Sequence, residues 1–570
     1  MAHVSLSKSS NIKEIVENFF RKGMFLSPDV LDWISESGAD LDSALLSFDE
    51  KSEAVVLNPA VIRGIGSSGL KGLNWLDFDR AVVEKEIRGS SRLYENFVLL
   101  FEGKKTPDNE LGNGEKDESA AGAVESHPEA AENHDKIAES KPPATQTTRE
   151  ETGTSDLPEL EILFDYQDFE VKRCVENFVD YYNSRFQYLS KMIANRSEMG
   201  SPVSIGRLRD SGECSVIGMV YDISKKNNIN LTIEDKTGTV RVFISKENPE
   251  LFEKADNLVL DQAVGINGTF KKGSIYAKSI VEPGIPQTTA IKKCNEDINV
   301  AFIGDLHVGS KLFLEKEFLN FVSWINGEYG SDRHKALAEK TRYLFVVGDL
   351  IDGVGIYPGQ ESELSIKSVY EQYGKVAQLF SKIRNDIKIL VIPGNHDALR
   401  LAEPQPRLCP EFAKPLYDLV NLTMLTNPGY VRIHKTAEYE GLKVLIYHGF
   451  GFDYYFGSVE SIRKNGGYRR PDLLMKLLLE KRHLIPSHGC TPFIPDPKED
   501  PMIIKDVPDI FVSGHIHYTC VGNAGNVVLV SASAWQAKTS FQEKLGHEPE
   551  PCRVPVFNLK TRKINVLRFG

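Results

Sequence analysis

The sequence predicts an α/β protein preceded by an OB-type β-barrel and by a small helical domain on a disordered acidic linker. Three observations carry this expectation. Beyond residue 295, five continuous apolar runs each end in a short polar motif. Between residues 202 and 283, five short β-rich stretches are separated by turn signals. Between Gly103 and Pro158 there is no aromatic residue, and 13 acidic residues face 6 basic ones. At roughly 150 residues per domain, 570 residues call for about four units rather than one.

Residues 1–75 read as a helical docking module. Ile12, Ile15, Val16, Phe19 and Phe20 recur at i, i+3, i+4, i+7 and i+8, one apolar stripe on a helix. Ser27 before Pro28 suits an N-cap and first-turn proline, opening a second helix through Trp33 and Ile34. Residues 76–102 are taken as a helical extension. Residues 103–158 cannot bury enough apolar area to offset their ordering entropy, so they read as a linker, with an acidic binding tail as the alternative.

Residues 159–200 are expected to be helical, because Val175, Phe178, Val179, Tyr182, Phe186, Leu189 and Ile193 keep helical spacing. Residues 201–290 then switch to strands at Ser215–Asp222, Asn230–Glu234, Val240–Ile244, Ala263–Phe270 and Ser274–Ile280. Five strands in so short a span suggest the OB-type barrel. Lys225, Lys226, Lys236, Arg241, Lys271 and Lys272, with Phe243, Phe270 and Tyr276, suit single-stranded nucleic acid. A barrel used for subunit contact is the other reading.

The net charge of −12 speaks against a chain that coats nucleic acid by bulk electrostatics, but −7 of it lies in the linker alone. Seven scattered cysteines without a Cys-x-x-Cys pair suit a reducing compartment and argue against a zinc ribbon. The N-terminus lacks an apolar signal core, and no run approaches the roughly 18 apolar residues that span a bilayer. The expectation is a soluble protein of the cytoplasm, without membrane partners.

Residues 296–570 carry the chemistry. The runs end in Gly304-Asp-Leu-His307, Gly348-Asp349, Pro393-Gly-Asn-His-Asp397, His448-Gly449 and Gly514-His-Ile-His517. Continuous apolar runs mark strands buried on both faces, and residues at their carboxyl ends converge on one rim. Asp305, His307, Asp349, Asn395, His448, His515 and His517 offer oxygen and imidazole donors without thiolate, which suits Mn²⁺, Fe²⁺ or Zn²⁺ at a working rather than a structural site. Asp305 and His307 are two apart, as are His515 and His517, so extended backbone would aim each pair one way. Two cations roughly 3.5–4 Å apart need a bridging carboxylate, and Asp349 is the candidate.

In this order the five motifs resemble the calcineurin-like metallophosphoesterase superfamily, which implies an α/β fold built as a β-sandwich flanked by helices. The resemblance implies one metal on Asp305, His307, Asp349 and His517 and a second on Asp349, Asn395, His448 and His515. It implies His396 as general acid or transition-state donor, with Asp397 orienting it. The implied cofactors are two divalent ions, Mn²⁺ foremost, with Mg²⁺, Fe²⁺ or Zn²⁺ as alternatives. Protein phosphatases of the superfamily are disfavoured, because Gly353 follows Asp352 and Asp397 replaces their Glu.

Longer stretches narrow the family: Asp349-Leu-Ile-Asp-Gly-Val-Gly-Ile-Tyr-Pro-Gly-Gln-Glu-Ser-Glu-Leu364, Gln405-Pro-Arg-Leu, Asn427-Pro-Gly-Tyr, Arg482-His-Leu-Ile-Pro and Ala534-Trp-Gln. With the barrel upstream, residues 160–570 resemble the small, exonuclease subunit of archaeal family D DNA polymerase (DNA polymerase II). One departure is Ser487-His488-Gly489, where an aromatic more often precedes the glycine; a loop position is preferred for His488 over a site residue. Related subunits of eukaryotic replicative polymerases have lost metal ligands. All seven stand here, so retained activity is expected.

The resemblance implies 3′→5′ proofreading, with in-line attack of hydroxide on the terminal phosphodiester and His396 serving the leaving 3′-oxygen. It implies a large catalytic polymerase subunit as partner, DNA primer–template and single-stranded 3′ ends as substrate, and a nucleoid-associated place in an archaeal cell. Arg463, Lys464, Arg469, Arg470, Lys476, Lys481 and Arg482 around Tyr468 form a basic stretch that could contact phosphates or be a solvated helix face. Ile564-Asn-Val-Leu-Arg-Phe569 resembles a sliding-clamp peptide, but a closing strand is the preferred reading. Two other functions stay open: a free-standing phosphoesterase on nucleotides or phosphodiesters, and a mainly structural polymerase subunit.

Overall fold

The computed structural model describes Met24–Leu26, Val55–Leu57, Pro158 and residues 160–168, 174–209, 212–225, 227–286, 291–496 and 498–570. The chain divides into two units, Met1–Thr148 and Arg149–Gly570. In the first, strands β1 (Met24–Leu26) and β2 (Val55–Leu57) pair in parallel. The expected helices at 12–20 and beyond Ser27, the extension at 76–102, and the linker up to residue 157 lie outside the described residues.

The second unit opens with strand β3 (Glu161–Phe164), which corrects the expectation that 159–200 is helical throughout. Its partner lies about 270 residues further on, so no local pattern announces it. Helix α1 (Val175–Ala194) follows, but its buried stripe is Tyr181, Arg185, Leu189 and Ile193. Val175 and Val179, expected on the apolar face, are exposed.

Strands β4 (Gly212–Lys225), β5 (Ile229–Asp235), β6 (Gly238–Ile244), β7 (Ala263–Lys271) and β8 (Ser274–Val281) close a five-stranded barrel in the order β4-β5-β6-β8-β7. The β6–β8 pair is parallel and the others antiparallel, with helix α2 (Pro249–Asp256) between β6 and β7. Alternation fills it: Val240, Val242 and Ile244 point inward to meet Val216, Leu231, Ile266 and Ile275, while Thr239 and Arg241 stay outside. All five expected strands are present.

Beyond the barrel, two six-stranded sheets stack face to face. The first contains β9 (Asn299–Ile303), β10 (Thr341–Val347), β11 (Lys388–Ile392) and β12 (Leu422–Met424), all parallel. The second contains β13 (Gly429–Ile433), β14 (Leu442–Tyr447), β15 (Ile510–Ser513), β16 (Cys520–Ala524) and β17 (Val527–Ser531), with β3 on the edge beside β13. Strands β18 (Arg553–Asn558) and β19 (Ile564–Arg568) return to the first sheet beside β9.

Helices cover both outer faces, which explains the unbroken apolar runs. On β9, Val300 and Phe302 point between the sheets, towards Phe345, Val444 and Val512. Ala301 and Ile303 point outward, into a core shared with α3 (Glu315–Ile325), α4 (Asp332–Glu339), α5 (Val369–Phe380) and α6 (Pro410–Tyr417). On the second sheet, Leu445, Tyr447, Phe511 and Leu529 pack outward against α7 (Phe452–Ser458), α8 (Glu460–Lys464) and α9 (Pro471–Lys481). Each Val, Leu, Ile or Phe side chain among these contributes about 1.5–3 kcal/mol on leaving water.

The closing strand at residues 564–568 is present as expected. Leu567 and Phe569 are buried, Phe569 among Phe321, Trp324 and Trp535, so these two side chains are not offered to a sliding clamp. Among the described residues, no helix is long and apolar enough to cross a membrane.

Candidate metal centre

The five polar motifs meet where β9, β10, β11, β14 and β15 end. Asp305, His307, Asp349, His515 and His517 all adopt left-handed backbone, with φ of 51°, 52°, 50°, 69° and 55°. Non-glycine residues there carry strain, and surrounding structure must hold them. The extended geometry expected for Asp305-Leu-His307 and His515-Ile-His517 is therefore wrong. The Asp305 and His307 N–H groups instead donate to the carbonyls of Gly348 and Asp349, at 3.0 and 3.1 Å.

Three overlapping donor groups result, one of them His307, Asp349 and His396, and the other two consist of predicted ligands alone. Asp305, His307 and His517 bring ligand atoms within 4.8 Å of one another, and Asp349, His448 and His515 do the same. Asp349 lies between the sets, its Oδ2 being 3.7 Å from His307 Nε2 and 3.4 Å from His448 Nε2. Asn395 Oδ1 is 2.9 Å from His448 Nε2. Both sets need glycines: a Cβ on Gly394 would overlap Asp349 Oδ1, and one on Gly514 would come within 2.7 Å of Asp305 Oδ2.

Neighbouring acceptors fix which imidazole nitrogen is free. A carbonyl can only accept, so His448 Nδ1–H donates to Val347 O at 2.8 Å and leaves Nε2 for the site. His307 Nδ1 lies 3.2 Å from the buried Asp352 carboxylate, leaving its Nε2. His515 Nε2 lies 3.1 Å from Asp453 Oδ2, leaving Nδ1. Gln542 on α10 (Ser540–Leu545) reaches His517 Nδ1 at 2.9 Å.

His396 stands edge-on to His307, with ring centroids 4.6 Å apart. Its Nδ1–H donates to the Asp352 carbonyl at 2.9 Å. The carboxylate of Asp397, expected to orient His396, instead accepts the N–H groups of Gly394 (2.9 Å) and Leu350 (3.3 Å) and the Tyr373 hydroxyl (3.1 Å). It braces the loop rather than the ring. Burial, reinforced by Asp349, pushes its pKa up to about 7.

The electrostatics ask for cations. Asp305 and Asp349 are fully buried, and an uncompensated buried carboxylate is costly. Burial works against a charged His448, yet Asp349 and Asp305 push its pKa up to about 10. Against its own burial, the carboxyl of Asp349 is held well below the usual range by His448, His396 and His307. Four imidazoles around two buried carboxylates fit divalent cations without strain on their chemistry.

The basic stretch divides. Lys481 and Arg482 are buried, which corrects their assignment to phosphate contact. Lys481 pairs with Glu282 at 2.9 Å, and Arg482 donates to the Ile504 carbonyl at 2.7 Å. Arg463, Lys464, Arg469 and Arg470 are exposed; Lys464 pairs with Glu460 and Arg470 with Asp472. His488 sits in a loop, 2.9 Å from the Tyr182 hydroxyl, away from the donor sets.

Several supporting residues escaped the sequence reading. Asp352 had a signal, as the last residue of Gly-Asp-x-x-Asp. Gln536, in the Ala-Trp-Gln stretch, donates to Asp352 Oδ1 at 3.0 Å. Gln405 donates to Gly394 O at 3.2 Å, while Asn427 joins it at 2.8 Å and accepts the His448 N–H at 3.0 Å. Asp453 and Gln542 lie in segments without a recognisable motif.

A sandwich with this donor set at its rim defines a calcineurin-like phosphoesterase, and residues 298–519 match the family of that description, one whose members use divalent metal ions. The chain is also 40% identical to the DNA polymerase II small subunit of Methanothermobacter thermautotrophicus, over 68% of this chain and 79% of that one. With the DNA polymerase II small subunit of Archaeoglobus fulgidus it shares 40% identity over 70% of this chain and 78% of the other. The chain belongs to the family of archaeal DNA polymerase II small subunits.

Proposed function

We propose that this subunit is the 3′→5′ proofreading exonuclease of a DNA polymerase II whose large catalytic subunit carries out synthesis. The observation that supports the reading is the pair of donor sets with the Asp349 carboxylate lying between them. In it, Asp305, His307, Asp349 and His517 hold one divalent cation, Mn²⁺ foremost, and Asp349, Asn395, His448 and His515 hold the other. When bound, such ions supply a water of lowered pKa and neutralise charge on phosphoryl oxygens.

The protein's own groups do the rest. Asp352, Val347 and Asp453 fix the tautomers of His307, His448 and His515, so each presents a lone pair inward. His396, with Nδ1–H tied to a carbonyl, keeps Nε2 to hold or deliver a proton at the leaving 3′-oxygen. The closed barrel, read as OB-type, presents Phe243 stacked on a half-exposed Tyr276 at 5.5 Å, a surface suited to single-stranded bases.

The test is the full-length chain with Mn²⁺ and a primer bearing a 3′ mismatch. Stepwise loss of 3′ nucleotides is expected. Activity confined to mononucleotide esters, or none with any divalent ion, would contradict the reading.

A further inference from the structure

Beside the metal centre lies a recess of about 240 Å³, walled by Tyr468, Arg469, Ile516, Tyr518, His547 and Glu548 together with glycines. It is smaller than the roughly 300 Å³ at which pockets begin to hold drug-sized molecules, so it suits one ring system. It adjoins the site through three links. Ile516 is flanked by His515 and His517. Tyr468 neighbours Asp453, whose carboxylate contacts His515. Helix α10 supplies Gln542 to His517 and ends at Gly546 (φ 71°), which turns the chain so that His547 N–H donates to Gln542 O at 2.9 Å.

The rings form a continuous row of tilted contacts, with interplanar angles of 31° and 40°. Phe456, buried on α7, packs on Tyr468 with centroids 4.5 Å apart, and Tyr468 packs on His547 at 4.1 Å. His547 is the last ring of the column and lines the recess, with Tyr518 also in the wall. Aromatic platforms of this kind stack bases without reading sequence. Arg469, exposed at the rim, is the member of the basic stretch placed in this wall; its charge also acts on Glu548, which pairs with Lys538 at 2.8 Å, and its guanidinium suits a phosphate.

We infer that this recess is a nucleobase subsite, in which the base of a nucleotide at the DNA 3′ end stacks on His547 while Arg469 contacts the backbone. The subsite holds the end so that the scissile phosphate is presented to the metal centre. It rests on the exonuclease reading for its substrate, but base stacking has a readout of its own.

The experiment uses the full-length chain and single-stranded DNA ending in either a normal 3′ nucleotide or a 3′ abasic residue. For the wild type, KM is expected to be about tenfold higher for the abasic end, the size of one lost base stack. His547→Ala collapses that ratio towards one, and His547→Phe, which keeps a ring, restores it. A ratio near one in the wild type, or a His547→Ala ratio like the wild type's, overturns the inference. So does a His547→Phe variant that behaves like His547→Ala. Binding of an oligonucleotide with 3′-terminal 2-aminopurine, followed by fluorescence in EDTA, separates the two claims. Quenching by the wild type but not by His547→Ala supports the subsite even if no nucleotide is excised, and an unquenched wild-type complex overturns it.

Discussion

At Asp349 a single carboxylate faces both donor sets, while its Oδ1 accepts the His396 N–H at 2.8 Å. Removing it takes a ligand from each proposed ion, whereas removing His396 takes none. His396→Ala is therefore expected to keep metal content while kcat falls by about 10²–10⁴, the range of a lost general acid; an unchanged rate would assign the leaving-group role elsewhere. Gly394→Ala should behave like a ligand mutant, because its methyl occupies the space of Asp349 Oδ1, and the check is metal content against a retained circular-dichroism spectrum. All seven proposed ligands were legible as residue types following apolar runs. Their geometry was not: spacing by two suggested strand alternation, while the left-handed residues Asp305 and His307 donate to Gly348 and Asp349, some 40 residues away in sequence. Asp397 shows the same limit, since a motif gives adjacency to His396 but not which donors its carboxylate meets.

Among the elements, α1 is the clearest case of a contact hidden from sequence. Its Arg185 side chain is buried and donates to Asp500 Oδ2 at 2.6 Å, and Asp500 also accepts His483 Nε2–H at 2.8 Å. Ile485 N–H donates to His483 Nδ1 at 3.0 Å, so the imidazole is fully satisfied as the neutral form. Burial, together with Arg185, lowers the His483 pKa to about 4. The unfolded chain protonates this group near 6.5, so between about 6.5 and 4 the unfolded state binds the extra proton. The stabilisation is complete above about pH 6.5 and is lost as pH falls towards 4, amounting to about 3 kcal/mol. The thermal midpoint should drop from pH 7 to pH 5, and less so in His483→Gln; equal drops would remove His483 from the account. Arg185→Ala should destabilise by about 3–5 kcal/mol, because it leaves Asp500 buried and charged without its cation, and a denaturant titration at pH 7 measures this. Arg482-His-Leu-Ile-Pro was legible as a family signature, yet its work here is structural. Buried strands and barrel strands announce themselves by pattern; β3 does not, being four residues paired across a long loop of sequence.

Along the whole sequence, most of the net charge and the candidate chemistry fall in different segments. More than half of the net charge of −12 lies between residues 103 and 158, outside the described sandwich, while the rim gathers buried carboxylates that demand cations. Phosphate can approach such a rim only when those carboxylates are neutralised, so metal loading and phosphodiester hydrolysis should rise and fall together. The account stands on two ions sharing one carboxylate, and bound metal measured by mass spectrometry in Mn²⁺-loaded, desalted protein tests this most directly. Two equivalents in the wild type and loss of both in folded Asp349→Ala are predicted; one equivalent in the wild type, or one firmly retained in the variant, would contradict it.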